Sequence, residues 1–154
     1  MEGLPVNEEL TCRQLALKDM ADASNVFRHA FDARLPWLAS RHSPEEDLAF
    51  WSGYVFANCA IWGVGRQDEL VGVIAFRENW IDQLYVLPQF QGQGIGARLL
   101  KQAKSAHYVL NLWTFQRNVG ARHFYEAHGF LARRETDGAE NDEREPDVLY
   151  EWCR

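Results

Sequence analysis

Residues 84–100 read LYVLPQFQGQGIGARLL and predict a strand, a glycine-rich turn and an amphipathic helix. Pro88 ends the strand because proline has no amide hydrogen to donate to a neighbouring strand. Gly92, Gly94 and Gly96 carry no Cβ, so another molecule can approach the backbone where the helix begins. A helix start presents unpaired amide hydrogens and the positive end of the helix dipole. The stretch therefore predicts a binding site for an anion such as a phosphate.

Three kinds of phosphate-binding loop place glycines at the start of a helix. A dinucleotide-binding loop requires G-x-G-x-x-G and an acidic residue about 20 positions later. Here the spacing is G-x-G-x-G, and the later position holds Thr114. A P-loop requires Gly-Lys followed by Ser or Thr, which this turn lacks. The third pattern, Gln/Arg-x-x-Gly-x-Gly/Ala, is matched by Gln91, Gly94 and Gly96, and it resembles the acyl-CoA pyrophosphate loop of the GNAT superfamily of N-acetyltransferases. For this stretch alone, a tight turn without a ligand stays open as an alternative.

A second stretch, residues 118–130, reads NVGARHFYEAHGF. It resembles the Asn-x-x-Ala-x-x-x-Tyr-x-x-x-Gly-Phe segment that is common in GNAT enzymes. The two patterns together, in this order and separated by one strand, are specific for that superfamily. The resemblance implies an α/β fold with a mixed sheet that opens between the strand at 80–87 and the strand at 108–115.

The remaining residues predict a single domain, 1–154, with elements in the order of the GNAT fold. Strands are predicted at 10–15, 59–65, 70–77, 80–87, 108–115, 131–134 and 147–152, and helices at 18–31, from Ser43 onwards, at 94–106 and at 119–128.

Local signals add detail to these elements. Ser43, followed by Pro44 and Glu46, predicts a capping box at a helix start. Residues 32–42 have no clear period and predict a loop, whereas Gly129 predicts a left-handed helix end. The buried face of the helix after Ser43 is predicted to be Leu48, Trp51, Ser52 and Val55.

Composition and charge limit the class of function. The 154 residues carry a formal charge of −6, which argues against nucleic acid as the main partner because phosphate neutralisation needs a basic face. The chain has no apolar run of 18 residues and no basic segment at its N-terminus, so we expect no membrane span and a cytoplasmic location. Cys12, Cys59 and Cys153 lie far apart, which indicates reduced thiols and no metal site. The sequence leaves the oligomeric state open, and a homodimer is compatible with it.

The GNAT resemblance implies acetyl-CoA as co-substrate, held in the open part of the sheet. The backbone of Leu84, Tyr85 and Val86 is expected to bond with the pantetheine arm, and Asn118 is expected to contact the same arm. The pyrophosphate is expected on the amides of Gln91, Gly92, Gln93, Gly94, Ile95, Gly96 and Ala97.

Acyl transfer from a thioester to an amine requires a neutral amine, a polarised carbonyl and a proton for the leaving thiolate. Backbone amides of the open strand can stabilise the negative charge that develops on the carbonyl oxygen. The resemblance places Tyr125 near the sulfur, and we predict that its phenol protonates the thiolate. The structural alternative is that Tyr125 only packs beside Phe124 on its helix face.

A free alkylamine has a pKa of about 10, so a base must accept a proton at neutral pH. GNAT enzymes often draw this base, directly or through water, from the strand before the pyrophosphate loop, here the strand at 80–87. The resemblance therefore makes Asp82 the predicted base, because it is the only carboxylate inside that strand and by alternation shares a face with Leu84 and Val86. An ordinary polar strand position is an equally good interpretation of Asp82. Glu78 and Glu126 rank below it as bases.

These observations predict an enzyme that transfers an acetyl group from acetyl-CoA to a primary amine, of a small molecule or a peptide, by direct attack. In GNAT enzymes the acceptor enters beside the loop after the first helix and the connection between the last strands. There Trp37, Asp142 and Glu143 predict attraction of a cationic amine. The structural alternative is that Trp37 packs and the acidic loop is solvated. Two other classes of function stay open. One is a non-catalytic acyl-CoA binding or sensing module on this fold, and the other is an interaction protein without a small ligand.

Overall fold

A mixed sheet of seven strands is the centre of the computed structural model, which describes residues 9–39, 41–66 and 68–154. The strands are β1 (Thr11–Gln14), β2 (Ala60–Arg66), β3 (Glu69–Arg77), β4 (Trp80–Val86), β5 (Val109–Phe115), β6 (Leu131–Thr136) and β7 (Asp147–Cys153). Their spatial order is β1-β2-β3-β4-β5-β7-β6. Neighbouring strands are antiparallel except β4 and β5, which run parallel.

The helices of the described ranges are α1 (Met20–Arg34), α2 (Pro44–Ala49), α3 (Phe56–Asn58), α4 (Ile95–Ala106) and α5 (Val119–Ala127). A π-helical stretch, Phe50–Val55, joins α2 to α3 and makes residues 44–58 one continuous helical segment. Among the residues that the structure describes, no helix has both the length and the hydropathy needed to cross a membrane.

The two faces of the sheet carry different helices, because the central strand β3 is apolar on both sides. On one side, Val73 packs with Val26 of α1 and Trp51 of the π-helical stretch; we call this the α1 face. On the other side, Ile74 packs with Leu99 of α4 in a core that α5 also joins; we call this the α4 face. An opening between two strands of this sheet is therefore bordered by helices from both layers.

Several local predictions are confirmed. The strand bounds agree with the predicted ones to within two residues at each end. The capping box is present, because the Ser43 hydroxyl accepts from the Glu46 amide at 3.1 Å and the Ser43 amide donates to the Glu46 carboxylate at 3.0 Å. Gly129 ends α5 with a φ of +89°, the left-handed geometry expected there.

Two local predictions are wrong. The stretch 32–42 is not a loop throughout, since α1 continues to Arg34 and Pro36–Leu38 forms a 3-10 turn. Leu48 is 40% exposed, and the buried residue of that turn is Asp47. The buried positions 47, 51 and 55 are spaced by four, and the wider turn of the π-helical stretch keeps that spacing on one face. Residues 1–8, where no basic segment was expected, and Ser40 of the predicted loop lie outside the described residues.

A buried ion pair fixes the helical segment 44–58 on α1. Arg28 of α1 donates two hydrogen bonds to the Asp47 carboxylate, from Nε at 2.7 Å and from Nη2 at 2.8 Å. Its Nη1 donates a third hydrogen bond to Asp32 at 2.9 Å. The hydrogen bond to Asp47 raises the pKa of the Arg28 guanidinium. Asp47 is 5% exposed, so the pair is largely desolvated.

We expect Asp47→Ala to lower the free energy of unfolding by about 3 kcal/mol, because it leaves Arg28 as a buried charge with one fewer partner. Urea denaturation measures the difference. The matched control is Arg133→Ala, which breaks an exposed pair with Glu151 at 3.3 Å and should cost about 1 kcal/mol or less. A loss in Asp47→Ala no larger than that of the control would contradict the proposed role of the buried pair.

Candidate active site

A cleft opens in the sheet because β4 and β5 pair at one position, Trp80 with Asn111. Asn111 closes this end of the cleft, since its amide nitrogen and its side-chain Nδ2 donate to the carbonyl of Asn79 at 2.8 and 3.1 Å. Further along, the strands diverge around a volume of about 690 Å³. The walls come from β4, β5, the start of α4, the inner side of α5 and the end of α1. The predicted opening between these strands is confirmed.

The glycine-rich loop lies at the mouth of the cleft with its backbone open to a ligand. Gly92 and Gly94 have φ values of +78° and +80°, which glycine adopts without steric cost. A Cβ built on either residue would meet no protein atom within 4 Å, so the loop has free space above it. Helix α4 begins at Ile95, and Gly94 provides no side-chain cap for its first amides. Open space beside uncapped amides fits an anionic group such as a diphosphate.

Most of the predicted cofactor residues line the cleft together. They are Leu84, Tyr85, Val86, Gln91, Gly92, Gly94, Ile95, Gly96, Ala97 and Asn118. Gln93 is exposed and does not line the cleft. Asn118 caps α5 by accepting a hydrogen bond from the Ala121 amide at 3.2 Å, so its side chain is fixed at the wall. The contacts of these residues with a cofactor stay predictions.

Tyr125 lies on the inner side of α5, is 8% exposed and lines the cleft. Its ring packs edge-on against Phe124 and Phe130, with centroids 5.3 and 5.4 Å apart. Among the described residues its hydroxyl has no hydrogen-bond partner. Burial raises the pKa of Tyr125, and the neighbouring Tyr85 raises it further, so the phenol keeps its proton at neutral pH. Tyr125 is therefore a packed side chain of the cleft wall that carries one hydrogen-bond donor.

Asp82 does not share a face with Leu84 and Val86, and the prediction from alternation is wrong. The pairing of β3 with β4 shifts there, since Ala75 pairs with Gln83 and Phe76 with Ile81. Asp82 is therefore the extra residue of a β-bulge, which redirects its side chain. Leu84 packs on the α4 face, whereas Asp82 contacts Cys59, which packs on the α1 face.

The Asp82 carboxylate is bound by neighbours at the cleft wall. Its Oδ2 accepts from Arg77 Nε at 2.7 Å and from the Cys59 thiol at 3.5 Å. Burial raises the pKa of the Cys59 thiol to about 12, with a further contribution from the charge of Asp82. Glu126, the lower-ranked candidate, accepts from the Tyr150 hydroxyl at 2.5 Å. Asp82 as the base stays a prediction.

The two loops expected beside the acceptor are joined to each other by Glu145. This residue is 7% exposed, and its Oε1 accepts from the Trp37 indole at 2.9 Å and lies 3.6 Å from Arg117 Nη1. The Arg117 guanidinium is 3.8 Å from the centre of the Trp37 ring. One face of that ring therefore already carries a cation. No sequence pattern distinguished Glu145, because it is one of several acidic residues in a turn-forming stretch.

Of the three predicted acceptor residues, Glu143 is the one whose charge acts on a residue of the cleft. Burial raises the pKa of Tyr85, and the charge of Glu143 raises it further, so the carboxylate acts on a cleft-lining phenol. Asp142 is exposed, and its carbonyl accepts from Arg41 at 3.4 Å. Trp37, Asp142 and Glu143 do not line the cleft themselves.

Arg34, the last residue of α1, also lines the cleft, although no sequence pattern indicated it. Its Nη2 donates to the Gln91 side chain at 2.8 Å, and its Nη1 occupies the place where a Cβ on Gly120 would be. The guanidinium thus spans the mouth of the cleft from the glycine-rich loop to the start of α5.

Comparisons with known proteins agree with this geometry. Residues 57–131 match the family described as "Acetyltransferase (GNAT) domain". The chain is 36% identical over 87 residues to an uncharacterized N-acetyltransferase of Archaeoglobus fulgidus, covering 46% of this chain and 58% of that protein. It is 30% identical over 116 residues to the peptidyl-lysine N-acetyltransferase YjaB of Salmonella typhimurium, covering 73% of this chain and 78% of that protein.

A solved structure shows the same fold. The PaiA N-acetyltransferase from Thermoplasma acidophilum, in complex with coenzyme A, superposes with a TM-score of 0.74 and is 19% identical in sequence. The superposition covers 95% of this chain and 99% of that one. The predicted fold is confirmed by this match, and the YjaB relative extends the agreement to most of the sequence. On these grounds the chain belongs to the GNAT family of N-acetyltransferases.

Proposed function

We propose that this chain transfers the acetyl group of acetyl-CoA to the side-chain amine of a lysine in a peptide or protein. The observation that carries the proposal is the cleft between β4 and β5, which leads from an uncapped, glycine-lined helix start to a buried phenol. The lysine acceptor is supported by relatives that are named peptidyl-lysine N-acetyltransferases. A cytosolic location is supported by the free thiols Cys12, Cys59 and Cys153.

The cleft residues divide the work of holding such a co-substrate. The first amides of α4 suit a diphosphate, and the open space over Gly92 and Gly94 leaves room for it. Beyond Trp80, the backbone of β4 is not paired with β5, so its free N–H and C=O groups can bond with an amide-bearing arm. Acetyl-CoA supplies the acyl group as a thioester, whose C–S bond breaks as the amide bond to the amine nitrogen forms.

Protons leave the amine and reach the sulfur in this reaction. The lysine ammonium loses one proton before it attacks, and its nitrogen loses a second as the amide bond forms. Asp82 at the cleft wall is the group that we propose accepts these protons in turn, directly or through water, so that one proton is released overall. The departing sulfur gains a proton, and the Tyr125 hydroxyl is the proposed donor. Burial keeps this hydroxyl protonated, and no described residue accepts a hydrogen bond from it. Unpaired N–H groups of β4 can stabilise the negative charge that develops on the carbonyl oxygen.

The acceptor is proposed to approach from the α1 face, beside the loops that Glu145 joins. The charge of −6 attracts a lysine ammonium at long range. Glu143 is the carboxylate that we propose meets it, since its charge already acts on Tyr85 at the cleft. Trp37 is proposed to shape this entrance through its bond to Glu145, with one ring face taken by Arg117.

We expect Gly94→Asp to abolish measurable binding of CoA, because its carboxylate would occupy the space for the diphosphate and repel it. The Cβ meets no protein atom, so the strain at φ +80° should cost about 1–2 kcal/mol and leave the protein folded. Calorimetry with CoA measures the affinity. The matched control is Gly94→Asn, which tolerates the left-handed geometry and adds no charge. Equal affinities of the wild type and Gly94→Asp for CoA would contradict the proposal that the diphosphate binds at this loop.

The activity is tested by incubating the protein with acetyl-CoA and lysine-containing peptides and following free thiol and acetyl-lysine. We expect both products in equal amounts. Tyr125→Phe keeps the ring in its packing and removes the hydroxyl, so turnover should fall about 100-fold, in the range that general acids supply. The KM for acetyl-CoA should stay within about twofold.

The outcomes of this assay separate the alternatives. CoA binding without any acetylated peptide would overturn the proposed activity and favour a binding module. Unchanged turnover in Tyr125→Phe, under conditions where the chemical step limits the rate, would return Tyr125 to a packing role.

We expect Glu143→Gln to raise the KM for the lysine peptide several-fold at low salt and to spare CoA affinity, because it removes a charge from the acceptor side only. The effect should shrink in 0.5 M salt, where surface attraction is screened. The matched control is Glu140→Gln, an exposed residue of the same loop. Equal KM values for the two variants would place the acceptor elsewhere.

A further inference from the structure

The side chain of Arg34 bridges the two walls of the cleft at its mouth. On the β4 side, its Nη2 donates to Oε1 of Gln91 at 2.8 Å, and Gln91 is itself held by a bond from its Nε2 to the Val86 carbonyl at 3.0 Å. On the α5 side, the guanidinium lies over Gly120, and its Nη1 and Cζ occupy the space that a Cβ at this position would need. Any side chain at position 120 would displace it.

Most of the hydrogen-bonding capacity of this guanidinium is unused. Arginine has five N–H donors in a planar fork that matches the oxygens of a phosphate. Within the described ranges, no carboxylate lies within 4 Å of Arg34, and Gln91 takes one donor. A full positive charge therefore lies at the cleft mouth with several donors left for a ligand.

The adjacent glycine-rich loop has no basic side chain of its own. Residues 88–97 contain neither Lys nor Arg, and Arg98, the next residue, donates to the Leu10 carbonyl at 2.9 Å. The start of α4 offers the equivalent of about half a positive charge, whereas a diphosphate carries about two negative charges. The loop thus lacks a cation in its own sequence, and Arg34 brings one from a different helix.

We infer that Arg34 is a phosphate-binding residue that contacts the diphosphate of the co-substrate opposite the amides of α4. Gln91 is a positioning residue that holds the guanidinium at the mouth before the ligand arrives. The inference rests on the proposed function, because it needs a diphosphate-bearing ligand in the cleft. It also gives α1, a helix of the opposite face, a direct part in binding that ligand.

The test is calorimetric titration with CoA and with 3′-dephospho-CoA, which keeps the diphosphate, at low salt. We expect Arg34→Ala to raise the Kd for both ligands by about 10- to 100-fold, the range for a hydrogen bond to a charged group. Arg34→Lys keeps the charge without the fork and should fall between the wild type and Arg34→Ala. The matched control is Arg134→Ala, an exposed arginine on β6, which should bind as the wild type does.

A second readout separates phosphate binding from packing. Acetyl-pantetheine lacks every phosphate, so Arg34→Ala should leave its kcat/KM as an acyl donor unchanged. An equal loss with this donor would overturn the inference, as would unchanged or tighter CoA binding in Arg34→Ala. A loss confined to CoA and absent with 3′-dephospho-CoA would also overturn it, because the contact would then be to the 3′-phosphate. Failure of the wild type to bind CoA would instead contradict the proposed function.

Discussion

The structure depends on one missing set of interactions, the hydrogen bonds that β4 and β5 do not make beyond Trp80 and Asn111. The sheet tolerates the gap because each of these strands is paired along its other edge, β4 with β3 and β5 with β7. The backbone groups left free in the gap require other partners, from water or from a ligand. A parallel pair that separates after one position thus produces both the space and the bonding groups of the site.

The same gap brings the two helical layers into one site. Helices α4 and α5 border it from one face, and their starts supply the glycine-rich loop and the cap at Asn118. Helix α1 lies on the other face, yet its last residue, Arg34, reaches the mouth of the gap. The buried pair of Arg28 and Asp47 fixes α1 against the segment 44–58. The position of a phosphate-binding side chain is in this way linked to the packing of the α1 face.

The helices, the strands and the proposed cofactor-binding residues could be predicted from the sequence, because the signals for them are local. Glycine spacing and helical periodicity each lie within a few residues of the feature that they indicate. The bulge at Asp82 could not be predicted, since it arises from the register with β3 and not from the composition of β4. Arg34 and Glu145 were missed for a similar reason: their partners are Gln91 and Trp37, which are 57 and 108 residues away in the chain.

Charge explains why such a long-range contact is useful in this protein. A net charge of −6 repels a polyanionic ligand such as CoA and attracts a cationic amine. The cationic amine needs no additional local charge, because the net negative charge of the protein already favours its approach. The polyanion needs a local positive potential, and the dipole of α4 supplies only about half a unit charge. A guanidinium held at the mouth by Gln91 adds a full positive charge where the diphosphate is proposed to enter, while the loop on the proposed acceptor side stays acidic.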